Sequence, residues 1–252
     1  MAKIIAVANQ KGGVGKTTTC VNLAAALHSL GRRVLIADCD PQGNATSGFG
    51  VDKASSPGAY DMLIKGTAPY SCVKSTEYGD IIPAGRDLAA ASVELAGFEN
   101  RESVLRTALR SLYADYDYIF IDCPPSLELL TVNALVAADT VLIPMQCEYY
   151  ALEGIADLMT SIRMTKKRLN SHLDIEGIVL TMYDGRANLT VQVANELRSH
   201  LGSKVYETVI PRSIRLSEAP SHGVPGIEYD RNNRGSRGYL AFAEEFLSKQ
   251  EE

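Results

Sequence analysis

The sequence predicts a doubly wound α/β fold, a mostly parallel sheet with helices on both faces. Three observations predict it. Short apolar runs rich in β-branched residues alternate with longer stretches of helical period, the pattern of βαβ units around a sheet buried on both sides. The first of these runs passes through a glycine-rich turn directly into a helical stretch. A length of 252 residues is enough to enclose one sizeable core, so a single domain over residues 1–252 is expected.

Taken in order, strands are expected at Ile4–Ala8, Arg33–Ala37, Tyr118–Ile121, Thr140–Pro144, Ile178–Met182 and Val205–Val209, with a weaker one at Asp80–Ile82. Helices are expected at Lys16–Leu30, Leu88–Ala96, Ser103–Tyr113, Leu127–Ala138, Leu152–Leu169, Thr190–Leu201 and Ser236–Lys249. Gly31 follows the first helix as the residue a left-handed cap prefers. Asp52–Ser75 has little periodicity and reads as loops around a short helix at Ala59–Lys65.

With 46% hydrophobic and 22% charged residues, the composition is that of an ordinary globular chain. No stretch supplies the roughly 18 uninterrupted apolar residues of a membrane span, and Met1-Ala2-Lys3 leads into a strand, not a signal core, so a cytoplasmic protein is expected. The five cysteines are odd in number, widely spaced and never in a C-x-x-C pair, which argues against a disulfide framework or zinc site and for buried thiols. A net charge of −5 argues against an overall basic nucleic-acid binder and leaves room for a local basic patch.

The segment Asn9-Gln10-Lys11-Gly12-Gly13-Val14-Gly15-Lys16-Thr17-Thr18 lies between the first strand and the first helix, the context that identifies a phosphate-binding P-loop. Gly12, Gly13 and Gly15 let backbone N–H groups curl around phosphate oxygens without Cβ clashes, and the helix N-terminus adds its positive dipole end. Lys16 is placed to hold β and γ phosphates, and the Thr17 hydroxyl to ligate Mg²⁺. Val14 and Thr18 complete the cradle. From spacing alone, Lys11 can be a solvated lysine beside the loop.

Two acidic motifs follow. Leu35-Ile36-Ala37-Asp38-Cys39-Asp40-Pro41 puts two carboxylates where a buried strand emerges, the edge at which open α/β sheets bind ligands. A carboxylate there can orient water for in-line attack on a phosphate or hold Mg²⁺ through water; Asp38 can equally cap the strand end. Tyr118-Ile119-Phe120-Ile121-Asp122 is an apolar strand ending in one acid, the Walker B form, with Asp122 placed to contact Mg²⁺ through water. Pro124 and Pro125 stiffen its exit, which suits a loop that senses the γ phosphate.

The K-G-G-x-G-K-T-T form of the loop, with Gln10 where the general pattern has glycine, resembles the deviant Walker A loop of the ParA/MinD superfamily. Across nearly the whole chain the resemblance narrows to the ParA/Soj chromosome-partitioning ATPases in their short form, through Asn9–Thr19, Asp38–Gly48, Ile121–Leu127, Pro144–Gly154, Leu180–Asp184 and Val209–Gly223. The resemblance implies ATP and Mg²⁺ as ligands, an ATP-dependent homodimer, binding to double-stranded DNA without sequence preference, and weak hydrolysis stimulated by a ParB-like centromere-binding partner. Residue by residue, it implies that Lys11 is the signature lysine reaching a partner's phosphates, that Asp40 orients the attacking water, and that Asp38 supports Mg²⁺ or the loop. It also places Pro211 and position 213 at the adenine and gives Arg186 and Arg215 to DNA. Here the family commonly has Asn at position 213, and this chain has Ser213. Where the family often reads H-G-K-P, the chain has Val224 at the lysine position, and Arg231 stands where it often has proline.

Charge density is compatible with DNA. Arg163-Met164-Thr165-Lys166-Lys167-Arg168 is a basic run on a helix, and Arg198–Arg237 holds seven Arg or Lys against four acids. The same runs can be solvated faces. A MinD-like membrane ATPase, the alternative within the superfamily, needs a basic amphipathic C-terminal helix, and the acids in Ala243–Glu252 oppose that. An iron–sulfur relative would need paired cluster cysteines, which the sequence lacks.

Overall fold

The computed structural model describes residues 1–126, 128–148 and 151–250, with only the backbone of 151–153. The expected helix start at Leu127, the family-motif positions Leu127, Tyr149 and Tyr150, and the terminal Glu251 and Glu252 lie outside the described residues.

In chain order the strands are β1 (Lys3–Val7), β2 (Val34–Asp38), β3 (Lys74–Thr76), β4 (Gly79–Ile82), β5 (Tyr118–Asp122), β6 (Thr140–Gln146), β7 (Asp174–Tyr183) and β8 (Val205–Pro211). They form an eight-stranded sheet in the order β3-β4-β2-β5-β1-β6-β7-β8. The described pairings are parallel except β3 with β4. The helices are α1 (Lys16–Ser29), α2 (Asn44–Gly48), α3 (Ala59–Ile64), α4 (Pro69–Cys72), α5 (Ala91–Leu95), α6 (Val104–Leu109), α7 (Leu129–Ala137), α8 (Ala151–Arg168), α9 (Asn188–Leu201), α10 (Ile214–Glu218), α11 (Gly226–Tyr229) and α12 (Arg234–Gln250).

Alternation along each strand builds two cores from one sheet, since successive side chains point to opposite faces. Ile4 and Ala6 of β1, Leu35 and Ala37 of β2, and Ile119 and Ile121 of β5 enter one core, with Leu88, Leu105, Leu135 and Leu158 from the helical side. Ile5, Val7, Ile36, Tyr118 and Phe120 enter the other, under α1 and α12. There Phe246 meets Tyr118 at 5.4 Å and Phe120 at 6.2 Å between ring centroids, and Phe242 meets Tyr206 edge-on at 4.7 Å. Each such buried ring contributes about 1.5–3 kcal/mol by area alone.

The edges of elements differ from the sequence expectation for identifiable reasons. β3 overlaps the end of the loop-rich stretch expected over Asp52–Ser75, because Lys-Ser-Thr is polar and only three residues long, the form edge strands take; it pairs antiparallel with β4 through a turn in which Gly79 has φ +121°. β7 extends from Asp174 rather than Ile178, its polar first residues lying at the sheet margin, where Glu176 pairs with Lys3 at 2.7 Å. The expected helix over Leu88–Ala96 divides into a 3₁₀ turn at Arg86–Ala90 and α5. Ser103–Tyr113 divides into α6 and a 3₁₀ turn at Arg110–Leu112. α12 begins at Arg234, not Ser236, because Asn233 Oδ1 accepts the Gly235 and Ser236 N–H groups at 2.8 and 3.1 Å as an N-cap.

In register, Val7, Asp38 and Asp122 end three adjacent strands side by side. The phosphate loop, the Asp38–Gly48 segment and the Asp122 exit therefore share the C-terminal edge of the sheet. Among the described residues no helix is long and apolar enough to cross a membrane.

Candidate active site and nucleotide cradle

The loop between β1 and α1 turns through left-handed backbone at Gly13 (φ +73°) and Gly15 (φ +88°), conformations a Cβ would strain. The Val14 carbonyl between them accepts the Thr181 hydroxyl at 2.7 Å, so the end of β7 fixes the crown of the loop. The Lys16 ammonium donates to the Lys11 carbonyl at 3.0 Å, closing the loop on itself. Burial holds the Lys16 amine below its usual range, against the pull of Asp122 and Asp40.

The Thr17 hydroxyl donates to Asp122 Oδ2 at 2.7 Å. Among the described residues, Asp122 Oδ1 is buried with no hydrogen-bond partner. Burial, then repulsion from Asp38, raises the Asp122 carboxyl well above the usual range, and burial pushes Asp38 up to about 6. An unpartnered carboxylate oxygen beside a threonine hydroxyl is the donor set a hard divalent cation takes. Among the described residues no group of three or more His, Cys, Asp or Glu is arranged to hold a metal alone. Mg²⁺ binds through one or two protein oxygens with phosphates and waters, and Thr17 and Asp122 are residues that could hold it.

Asp38 is occupied differently. Its Oδ1 accepts the Asp40 N–H at 3.1 Å, and its Oδ2 accepts both the N–H and the hydroxyl of Thr46, at 2.9 and 2.7 Å. Thr46 Oγ1 in turn accepts the Ala84 N–H at 2.9 Å. Of the two roles expected for Asp38, these bonds fit support of the loop; the free oxygen for a metal is on Asp122. Asp40 is also buried, and its Oδ1 accepts the Gln42 N–H at 2.9 Å, which leaves its other oxygen for a water.

Pro211 and Ser213 line a cavity of about 230 Å³ with Gly15, Thr18, Thr181 and Leu216, next to the loop and of a size to take a purine base. The sequence expectation for both residues is thereby placed at one pocket. The Ser213 hydroxyl donates to Asn233 Oδ1 at 3.0 Å. Nothing in the sequence marks Thr181 or Leu216 for this pocket beyond their places in Leu180–Asp184 and Val209–Gly223, since an apolar strand end and an amphipathic turn give no chemical signal by themselves.

Lys11 is exposed and ion-paired with Glu148 of its own chain, while its N–H donates to Asn9 Oδ1 at 3.0 Å. Arg186 and Arg215 lie just beyond the ends of β7 and β8, two neighbouring strands, and so share one surface. The structure separates them from the other basic run. Lys166 at the end of α8 and Lys204 both pair with Asp174 at the start of β7, which puts Arg163–Arg168 at the opposite margin of the sheet.

The AAA domain family model matches residues 2–175. The sporulation initiation inhibitor protein Soj of Bacillus subtilis is 54% identical over 97% of this chain and 98% of its own length. The chromosome partitioning protein ParA of Myxococcus xanthus is 51% identical over 99% and 89%. The chain belongs to the ParA/Soj family. Among solved structures, cobyrinic acid a,c-diamide synthase of Mycobacterium smegmatis with bound ADP and magnesium superposes with a TM-score of 0.87 at 34% identity, covering 100% of this chain and 96% of that one. ParA/Soj membership makes the chain an ATPase that uses ATP and Mg²⁺, and it favours the partitioning reading over a MinD-like one.

Proposed function

We propose that this chain is a DNA-partitioning ATPase, one domain over residues 1–252, that works as a nucleotide-switched dimer. The observation that carries the reading is the joining of Thr17 to a half-free, buried Asp122 beside a glycine loop. Backbone N–H groups of Gly12 to Thr18 and the Lys16 amine bind the phosphates, and the cavity at Pro211 and Ser213 binds the base. Mg²⁺, when bound, offsets phosphate charge. Asp40 positions water and accepts its proton, and its burial keeps bulk water away from the reacting phosphate. Lys11 leaves Glu148 and reaches the phosphates of a second copy, so that ATP favours the dimer. The dimer binds DNA phosphates through Arg186 and Arg215, with no sequence preference, because phosphates carry no base information. A ParB-like partner speeds hydrolysis and release, which places the protein on the nucleoid in the cytoplasm.

The deciding experiment is binding to two unrelated duplexes with ATP, with ADP and without nucleotide, across a salt series. Binding that requires ATP, ignores sequence and weakens linearly in log–log salt plots is expected. Equal binding in all three nucleotide states, or none in any, refutes the reading.

A further inference from the structure

Both arginines assigned to DNA are already engaged by carboxylates of their own chain, Arg186 by one and Arg215 by two. Arg186 makes a two-pronged contact with Asp184, Nε to Oδ1 at 3.0 Å and Nη2 to Oδ2 at 3.1 Å. This is the fork geometry with which a guanidinium grips a phosphate. The Arg186 side chain is 92% exposed and Asp184 44%, so the pair stands in solvent. Arg215 is engaged without the fork, its Nη1 donating to Glu218 Oε2 at 2.9 Å while Asp230 Oδ2 lies 3.7 Å from its Nε. The Arg186 contact, with Arg234 nearby, draws the Asp184 carboxyl down to about 2, so it stays ionised at neutral pH.

We propose that Asp184 is an internal stand-in for a DNA phosphate, a latch that occupies the Arg186 fork until DNA displaces it and so weakens DNA binding; Glu218 does the same for Arg215. The inference rests on the DNA-binding reading above. An exposed ion pair is weak and exchanges readily, so the latch lowers affinity without blocking it. It also cancels one positive charge per arginine on the surface that meets DNA. A chain that must leave DNA when its nucleotide is spent gains from contacts that have an intramolecular competitor.

Asp184→Asn tests this, because an amide oxygen can still accept the Arg186 N–H that Asp184 Oδ1 now accepts at 3.1 Å, while the charge is removed. An unfolding midpoint equal to wild type verifies that the turn survives, and Glu218→Gln offers an independent second variant. With ATP and about 0.1 M salt, each variant should bind two unrelated duplexes about 3–10-fold more tightly than wild type, the gain shrinking as salt rises. In an Arg186→Ala background the Asp184→Asn gain should shrink to the smaller one that removing a surface negative charge gives by itself. If wild type binds DNA with ATP and Arg186→Ala weakens it, yet Asp184→Asn binds no better, the latch is wrong and the DNA reading stands. A gain that persists undiminished without Arg186 also overturns the latch. Absence of ATP-dependent DNA binding by wild type overturns the DNA reading itself, and the latch with it.

Discussion

Thr17 Oγ1 donates to Asp122 Oδ2 at 2.7 Å, so one short hydrogen bond joins the first turn of α1 to the last residue of β5 while the second carboxylate oxygen stays free. Asp122→Asn keeps an acceptor for Thr17 but removes the charge. ATP affinity measured by calorimetry should then lose most of its dependence on Mg²⁺. A variant whose ATP affinity still rises with Mg²⁺ as in wild type would assign the cation elsewhere.

The buried acids also set a pH dependence. Asp38, pushed up to about 6, and Asp122, raised well above the usual carboxylate range, hold protons more tightly folded than unfolded. Their contribution to stability is therefore fully present below the ordinary carboxylate value of about 3.9 and lost as pH rises through the folded values. Without Mg²⁺ and nucleotide, the unfolding midpoint should climb by about 2–4 °C for each kcal/mol gained between pH 7.5 and 5. Asp122→Asn should flatten that climb, and an unchanged slope would show that other groups govern it.

Lys11 is held by Glu148 in the single chain. Lys11→Ala should bind ATP about as well as wild type yet give no ATP-dependent dimer in light scattering. A dimer that still forms with ATP would return Lys11 to an ordinary surface lysine.

Thr181→Val removes the donor to the Val14 carbonyl at the crown of the phosphate loop while keeping side-chain volume. A buried carbonyl left unpaired costs about 1–3 kcal/mol, readable in a denaturant titration, and ATP affinity should fall with it. Loss of stability with unaltered ATP affinity would mean that the loop keeps its shape without Thr181.

Gly235 marks how tightly the base pocket is walled. A Cβ there would stand 2.6 Å from Leu216 Cδ1, 2.8 Å from Leu216 Cγ and 2.8 Å from Ser213 Cβ. Gly235→Ala should destabilise the fold by about 1–3 kcal/mol through overpacking and weaken nucleotide binding, although the residue contacts no phosphate. Wild-type affinity for ATP in that variant would show that neither wall needs its present position.

The parts of the fold legible in the sequence are those where one local rule dominates. The strands buried on both faces, the loop glycines and the acids ending β2 and β5 stand out because burial, left-handed backbone and charge each leave a pattern in adjacent residues. The edge strand β3 and the short helices α10 and α11 do not, since their form depends on what packs against them: β4 for the former, Leu216 in its glycine-lined seat for the latter. The site divides in the same way. Gly12 to Thr18 follow from one motif, whereas the Asp38 contact with Thr46, the Thr181 bond to Val14 and the Asp184 grip on Arg186 are relations between residues that no single spacing announces.

The closure of Asp38 on Thr46, and of Thr46 on Ala84, fixes a contour length. Eight positions separate the carboxylate from the threonine it holds, and the turn between them carries Asp40 and the tight Gly43 step. One residue more or fewer would force the chain to choose between keeping that clasp and keeping Asp40 at the sheet edge. Surface loops usually absorb insertions at little cost. Here the count of residues is itself a specification, as binding as their identity, and natural variation in this stretch should take the form of exchanges rather than indels.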